Sequence, residues 1–172
     1  MAETENPMRQ VRIEKVVVNI GVGEAGERLI QAEELLQELT GRQPVRTTAG
    51  KKAAGFGIRR GQEVGVKVTL RRDKAEEFLD EALFTRAHRL PGWAFDDNGN
   101  VSFGVDDHTD FEKMSYDPDV GIFGLDVTVV LERPGKRVEK RRIRSNRVGD
   151  KQRVHWEDAM DLMEDEFDVE VI

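Results

Sequence analysis

Glu63-Val64-Gly65-Val66-Lys67-Val68-Thr69-Leu70-Arg71-Arg72, followed at once by Asp73, decides how this chain folds. Val64, Val66, Val68 and Leu70 fall on one face of an extended chain, and Glu63, Lys67, Thr69 and Arg71 on the other. A period of two with one apolar and one polar face predicts a half-buried strand. Such a strand belongs to an antiparallel sheet that shows one face to water. Asp73 with Glu76 three residues on reads as a capping box opening a helix. Ala75, Phe78, Leu79, Ala82 and Leu83 give that helix a buried stripe.

The same grammar holds on either side. Residues 11–22 predict a strand with Val16, Val18, Ile20 and Val22 on one face and Lys15, Val17 and Asn19 on the other. Leu29, Ala32, Leu35, Leu36 and Leu39 predict a helix over 27–40, stopped by Gly41. Residues 44–49 predict a short strand, and the four glycines of 50–62 a loop. Downstream, Asn98-Gly99 predicts a hairpin turn between Trp93–Phe95 and Val101–Val105. Residues 106–121 read as a long acidic loop, and Leu125, Val127, Val129 and Leu131 as another strand. The stretch 136–153 has little hydrophobic period and reads as extended or irregular. A last helix over 156–167 carries the apolar line Trp156, Met160, Met163, Phe167. Strands and helices do not alternate regularly. The fold class is therefore α+β: two layers, a mostly antiparallel sheet with helices packed on one face.

The chain has 172 residues, which suits one domain over 1–172, with a polar N-terminus over 1–10 expected to be flexible. It has no cysteine, so disulfides and thiolate chemistry are excluded. No apolar run approaches ~18 residues, and neither a membrane span nor a signal peptide is expected. The formal net charge is −7, yet the charge is segregated. Residues 42–72 hold nine basic groups and one acid, and 133–153 hold ten basic groups and two acids. Residues 73–132 hold 15 acids against four basic groups, and 154–172 hold eight acids and no basic group. Two basic blocks of this kind suit a polyanion, because neutralised phosphates release counterions there. The competing expectation is that the blocks pair with the acidic segments inside the fold.

Gly21-Val22-Gly23-Glu24-Ala25-Gly26 fits the dinucleotide fingerprint G-x-G-x-x-G between a strand and a helix. It would make the chain a small NADP-dependent oxidoreductase, with Lys51 or Lys52 on the ribose phosphate. Glu24 beside a pyrophosphate and the missing βαβ series argue for a plain tight turn instead. His88, His108 and His155 lie far apart at no ligand spacing and read as surface residues, so no metal and no cofactor is expected. No catalytic constellation is present, and the chain reads as a non-enzyme.

The basic segments suit RNA. Lys67, Thr69 and Arg71, with Lys15 and Asn19 on the first strand, offer a row of donors on an open sheet face for phosphate and ribose oxygens. The loop Ala53-Ala54-Gly55-Phe56-Gly57-Ile58-Arg59-Arg60-Gly61 is glycine-rich and carries two arginines that can clamp phosphate or stack. It reads as an exposed finger, unless Phe56 and Ile58 tuck into the core.

Several blocks then resemble one family in order. They are Arg12-Ile-Glu-Lys-Val-Val-Val-Asn-Ile-Gly-Val-Gly-Glu-Ala, Gly41 to Gly61, Val64-Gly-Val-Lys-Val-Thr-Leu-Arg, Phe103-Gly-Val, and Gly121-Ile-Phe-Gly-Leu-Asp-Val-Thr-Val. Together they resemble the large-subunit ribosomal protein five family, which binds 5S rRNA. The likeness covers about residues 11–172, and the basic 136–153 with the acidic closing helix resembles the archaeal form. The acidic balance suggests a salt-adapted archaeon.

The resemblance implies a cytoplasmic structural protein in the central protuberance of the large ribosomal subunit. Its implied partners are 5S rRNA, large-subunit rRNA, peptidyl-site tRNA, other central-protuberance proteins, and a small-subunit protein at the intersubunit bridge. It implies rRNA binding by Lys15, Asn19, Gln43, Thr47 and Lys67, to which the basic block and the sheet face add Lys51, Lys52, Thr69 and Arg71 as expected rRNA contacts. It places the tRNA-reaching loop at Gly55, Phe56, Ile58, Arg59 and Arg60, and the bridge at Asp110, Glu112, Asp117 and Asp119. The second basic segment, Lys136, Arg137, Lys140, Arg141, Arg142 and Arg144, is expected to meet RNA as well. One departure is plain: the family often has Pro-Ile-Gly and a loop lysine where this chain has Glu63-Val64-Gly65 and Gly57.

Overall fold

The computed structural model describes residues 6–172. Along the chain run β1 (Arg12–Gly21), α1 (Glu27–Thr40), β2 (Val45–Thr48), β3 (Glu63–Leu70), α2 (Asp73–Thr85) and β4 (Arg89–Leu90). Then come β5 (Asn100–Val105), β6 (Leu125–Glu132), α3 (Arg137–Lys140), α4 (Trp156–Phe167) and β7 (Glu170–Val171). β1 is the centre of a five-stranded sheet of order β2-β3-β1-β6-β5, and every pairing in it is antiparallel.

Val16, Val18 and Ile20 of β1 face Leu70, Val68 and Val66 of β3 across one ladder. Val16 and Val18 face Val129 and Val127 of β6 across the other. This apolar face is roofed by α1, through Leu29, Ala32, Leu35, Leu36 and Leu39, and by α2, through the five residues of its stripe. All belong to one contiguous core. Each large apolar side chain so buried contributes about 1.5–3 kcal/mol before conformational entropy is deducted. The α+β architecture expected from the alternation is what forms, with helices on one face of the sheet and the other face bare.

Gly41 ends α1 in the left-handed region, with φ 60° and its N–H donating to Gln37 O at 2.9 Å. The G-x-G-x-x-G segment is a turn. Gly23 and Gly26 take φ 81° and 139°, and the Val22 and Gly23 amides both donate to Val64 O. The strand after α1 pairs with β3 and does not lie parallel beside β1. No βαβ unit exists there, so the dinucleotide reading fails on topology.

Several expectations are corrected. The Asp73–Glu76 capping box does not form: Arg72 is the cap residue, and no side chain caps the helix. Asp73 and Glu76 instead lie in the first turn, where the helix dipole favours acids. On α4, Met163 is buried and Met160 and Phe167 pack half-buried against the core as expected, but Trp156 is exposed and Ala159 and Leu162 complete the buried stripe. Trp93–Phe95 is a 3₁₀ turn at 92–94 and one bridge from Phe95 to Val101, not a hairpin arm. Within 136–153, α3 and a 3₁₀ turn at 150–152 interrupt the irregular chain. His108 is not a surface residue: it is 2% exposed, its backbone N–H donates to Phe123 O, and its Nδ1 accepts the Phe123 N–H. It fastens the acidic loop, with Phe111 stacked on Phe78 of α2. A parallel pair, β4 with β7, carries no signal in the sequence pattern, being only two residues long. Of the N-terminal ten residues, 1–5 lie outside the described residues. Residues 8 and 9 are held by Gln152 and Arg133, which donate to Met8 O and Arg9 O.

Candidate nucleic-acid interface

Strand parity builds the bare face. Core residues on β1 are 16, 18 and 20, so Lys15, Val17, Asn19 and Gly21 point the other way. The registers then lay out rows across the sheet. One row is Val45, Lys67, Asn19, Asp126 and Gly104. The next is Thr69, Val17, Thr128 and Ser102, with the Ser102 hydroxyl 3.3 Å from that of Thr128. Thr47, Gly65 and Gly21 form a third. Residues directly opposite have Cβ atoms about 4.5–5.5 Å apart, so their side chains can reach one ligand group together. Gly65 keeps the floor flat: a Cβ there would lie 2.7 Å from Ile20 O and 3.0 Å from Thr47 Oγ1.

The sheet platform expected from Lys15, Asn19, Thr47, Lys67, Thr69 and Arg71 is thus one surface. Gln43 sits exposed just before β2. Lys51 and Lys52 leave the face for the loop that joins β2 to β3. Sequence reading missed Ser102, Thr128 and Asp126 as members of the face. Their outward parity on two alternating strands was the available signal. Asn19 stands between Lys67 of β3 and Asp126 of β6, so the face changes sign across β1.

The basic loop 50–62 and the basic segment 136–147 stand at opposite ends of this face. At the end where β3 begins, the 50–62 loop projects as a small closed ring: Ala53 and Ile58 bridge, and Gly57 turns at φ 69°. Gly55, Arg59 and Arg60 are exposed, Phe56 is 84% exposed at the tip, and Ile58 is half-buried. Phe56 does not join the core. At the other end, 136–147 folds into a compact basic knob. The Asn146 N–H donates to Val138 O, Arg141 Nε to Arg144 O, and Ser145 Oγ to Glu139 O. Arg137, Arg141, Arg142 and Arg144 stay exposed on it, with Ile143 between them, and Lys136 is half-buried at its base. Arg133 anchors the segment that follows, through Arg153 O.

Some of the positive charge is neutralised internally. Arg46 is gripped by Glu33 at 2.8 Å and Glu63 at 2.9 Å. Arg71 reaches Glu14 at 3.5 Å, and Lys140 reaches Glu14 at 2.6 Å and Glu132 at 3.7 Å. Burial alone would raise the Glu14 pKa. The Lys140 hydrogen bond, the charges of Lys15 and Lys140, and Arg71 outweigh it and hold the carboxyl below its ordinary value. Among the described residues, Arg42, Lys51, Lys52, Arg59, Arg60, Lys67, Arg137, Arg142 and Arg144 meet no carboxylate within 4.0 Å.

The acidic loop lies at the same end as the 50–62 loop, because it joins β5 to β6 across from the start of β3. Asp110, Glu112, Asp117 and Asp119 are all exposed on it. Asp117 is tied into a turn by the Asp119 N–H, and Asp119 O accepts from Gln31 of α1. The four acids are therefore presented on a fixed loop, not a loose one.

Comparison with known proteins gives the family. A family model described as ribosomal protein L5 matches residues 6–59, and one described as the C-terminus of the same ribosomal family matches 63–160. The two matches meet between β2 and β3, which pair, so both halves share one sheet. The large ribosomal subunit protein uL5 of Picrophilus torridus is 47% identical over 100% of this chain and 98% of its own. That of Sulfurisphaera tokodaii is 51% identical over 100% and 99%. That of Methanoculleus marisnigri is 49% identical over 95% and 98%. The family is structural and not enzymatic, which disposes of the oxidoreductase reading. With both family models and full-length archaeal relatives in agreement, this chain belongs to the ribosomal protein L5 family of the large ribosomal subunit, in its archaeal form.

Proposed function

We propose that this structural constituent of the ribosome binds 5S rRNA on its bare sheet face and helps attach it to large-subunit rRNA in the central protuberance. The observation that supports this most is the layout: a helix-free polar face of the sheet, flanked at its two ends by two basic loops. Lys67 and Asn19 stand opposite each other at its centre, where a phosphate or ribose oxygen meets two donors at once. Lys15, Gln43, Thr47, Lys51, Lys52, Thr69 and Arg71 extend the surface. The knob residues Lys136, Arg137, Lys140, Arg141, Arg142 and Arg144 add a second RNA contact.

The ring of 54–61, with exposed Phe56, Arg59 and Arg60, supports a reach toward peptidyl-site tRNA: an aromatic and two guanidinium planes suit an exposed loop or elbow of RNA. Asp110, Glu112, Asp117 and Asp119 suit a basic small-subunit protein across the intersubunit bridge. Lys67→Ala and Asn19→Ala each weaken 5S rRNA binding by about 1–3 kcal/mol and leave the fold intact, because both side chains point away from the core. Titration at fixed salt measures it, and unchanged affinity in both variants refutes the platform.

A further inference from the structure

Glu14 is out of place by charge. It sits among Lys15, Arg71 and Lys140, where both basic blocks converge. The β1–β6 register slips between Ile13 and Lys15, so Glu14 occupies a β-bulge. A bulge re-aims one side chain off the strand's alternation. Here it turns a carboxylate under two cations. Oε1 accepts from Lys140 Nζ at 2.6 Å and lies 3.5 Å from Arg71 Nη1, and Arg71 also donates to the Glu14 carbonyl at 3.4 Å. The side chain is only 11% exposed, and Oε2 meets no donor among the described residues. Glu132 supports the arrangement, 3.7 Å from Lys140 and 3.5 Å from Arg12.

One anionic oxygen shared by a lysine and an arginine is the pattern that a backbone phosphate of RNA would make at the same place. We propose that Glu14 is a built-in phosphate surrogate: it parks Lys140 and Arg71, and so sets how strongly this face discriminates its own RNA from any other polyanion. The proposal rests on the reading of the sheet face as an RNA-binding surface. Its logic is electrostatic. Non-cognate RNA binds almost wholly through phosphates, so each masked cation removes a share of that affinity. RNA that matches the face also gains hydrogen bonds at Asn19, Lys67 and Thr69, which masking leaves untouched. Lys140 and Arg71 are about half exposed, so the pairs are weak enough to be exchanged for a phosphate once the rest of the surface is engaged. A free cation at the same position would attract every phosphate alike.

The test compares wild type, Glu14→Gln, Lys140→Gln, Lys67→Ala and the double variant Glu14→Gln/Lys140→Gln. Each is titrated with 5S rRNA and with an unrelated folded RNA of similar length over a salt series. Glu14→Gln is expected to bind the unrelated RNA about three- to tenfold tighter at low salt, with a log–log salt slope steeper by about one to two. Its 5S affinity should move less than that. In the double variant the share of the gain that acts through Lys140 disappears, and only the smaller share that acts through Arg71, the longer contact, remains. Lys140→Gln alone leaves the unrelated RNA within about twofold, because that charge is already masked. Lys67→Ala, whose charge is free, weakens it more.

A Glu14→Gln protein that binds the unrelated RNA no tighter overturns the proposal. So does a gain that is undiminished in the double variant, or a large loss of unrelated-RNA binding in Lys140→Gln. If wild type fails to bind 5S rRNA while the unrelated RNA responds as described, the 5S reading falls and the surrogate role stands. A melting curve of each variant shows whether folding is affected. Should Glu14→Gln unfold, the contrast between Lys140→Gln and Lys67→Ala decides alone.

Discussion

Arg133→Met tests how the second basic segment is held. The Arg133 side chain is 16% exposed and engages its whole donor fork. Nε donates to Arg9 O at 2.8 Å, Nη1 to Arg153 O at 2.8 Å, and Nη2 to Asp158 Oδ1 at 2.7 Å. One side chain thus ties the N-terminal turn, the end of the basic segment and the first turn of α4 to the last residue before Pro134. Hydrogen bonds from a charged donor are worth about 1.5–3 kcal/mol each, and water re-solvates part of what is lost because the three acceptors lie near the surface. Methionine keeps most of the stem's packing, so the loss is chiefly of the fork. A net destabilisation of about 3 kcal/mol follows, which for a chain of this size lowers Tm by about 6–12 °C. Lysine restores only part of it, since a point charge cannot serve three divergent acceptors. Thermal unfolding followed by circular dichroism measures the shift. Limited trypsin digestion should show faster cleavage between 136 and 153, which holds many of the chain's basic residues. A Tm within about 2 °C of wild type, with an unchanged digestion pattern, refutes the clamp.

Gly99 turns at φ 72°, and a Cβ there would lie 2.5 Å from Val154 Cγ1 and 2.9 Å from its Cβ. Gly99→Ala therefore adds left-handed strain of about 1 kcal/mol to overpacking of about 1–3 kcal/mol, and Val154→Ala in the same chain recovers part of the lost Tm. Glu14 has a depressed pKa in the folded state, so its stabilisation is full above the ordinary carboxylate range and fades as pH falls through the folded value. Denaturant titrations from neutral pH down through the carboxylate range should show a smaller acid loss in Glu14→Gln than in wild type, and parallel curves would contradict the assignment. Removing Phe56–Arg60 should leave Tm within about 2 °C and 5S rRNA binding unchanged while weakening tRNA retention in the peptidyl site, because that tip is solvent-exposed and off the sheet face. A large fall in Tm together with lost 5S binding would show that the ring is structural.

Much of the architecture is legible in the sequence because its signals are local. Strands β1, β3 and β6 alternate with period two, and α1 and α2 repeat their apolar residues at helical spacing, so each buried face can be read without knowing its partner. The platform residues Lys67, Thr69, Lys15 and Asn19 follow from the same parity. Signals that depend on one competing choice fail. The Asp73 capping box loses to a first turn with Arg72 at the cap position and no side-chain cap. On α4, a 3.6-residue period leaves the edges of the stripe open, and only the packing excludes Trp156 and adds Ala159 and Leu162 beside Met163.

What the tertiary structure alone decided is which distant residues share a place. Strand order puts Asn19 between Lys67 and Asp126, and so gives the bare face its change of sign. Nothing local says that Lys140 will return across 126 residues to Glu14, or that His108 will be buried against Phe123. Periodicity is a property of a dozen consecutive residues, set by backbone geometry. A bulge, an ion pair or a buried histidine is set by which elements happen to meet. By itself the sequence determined the two layers, the family and the existence of a polar face. The fold determined which cations on that face are free and which are already taken.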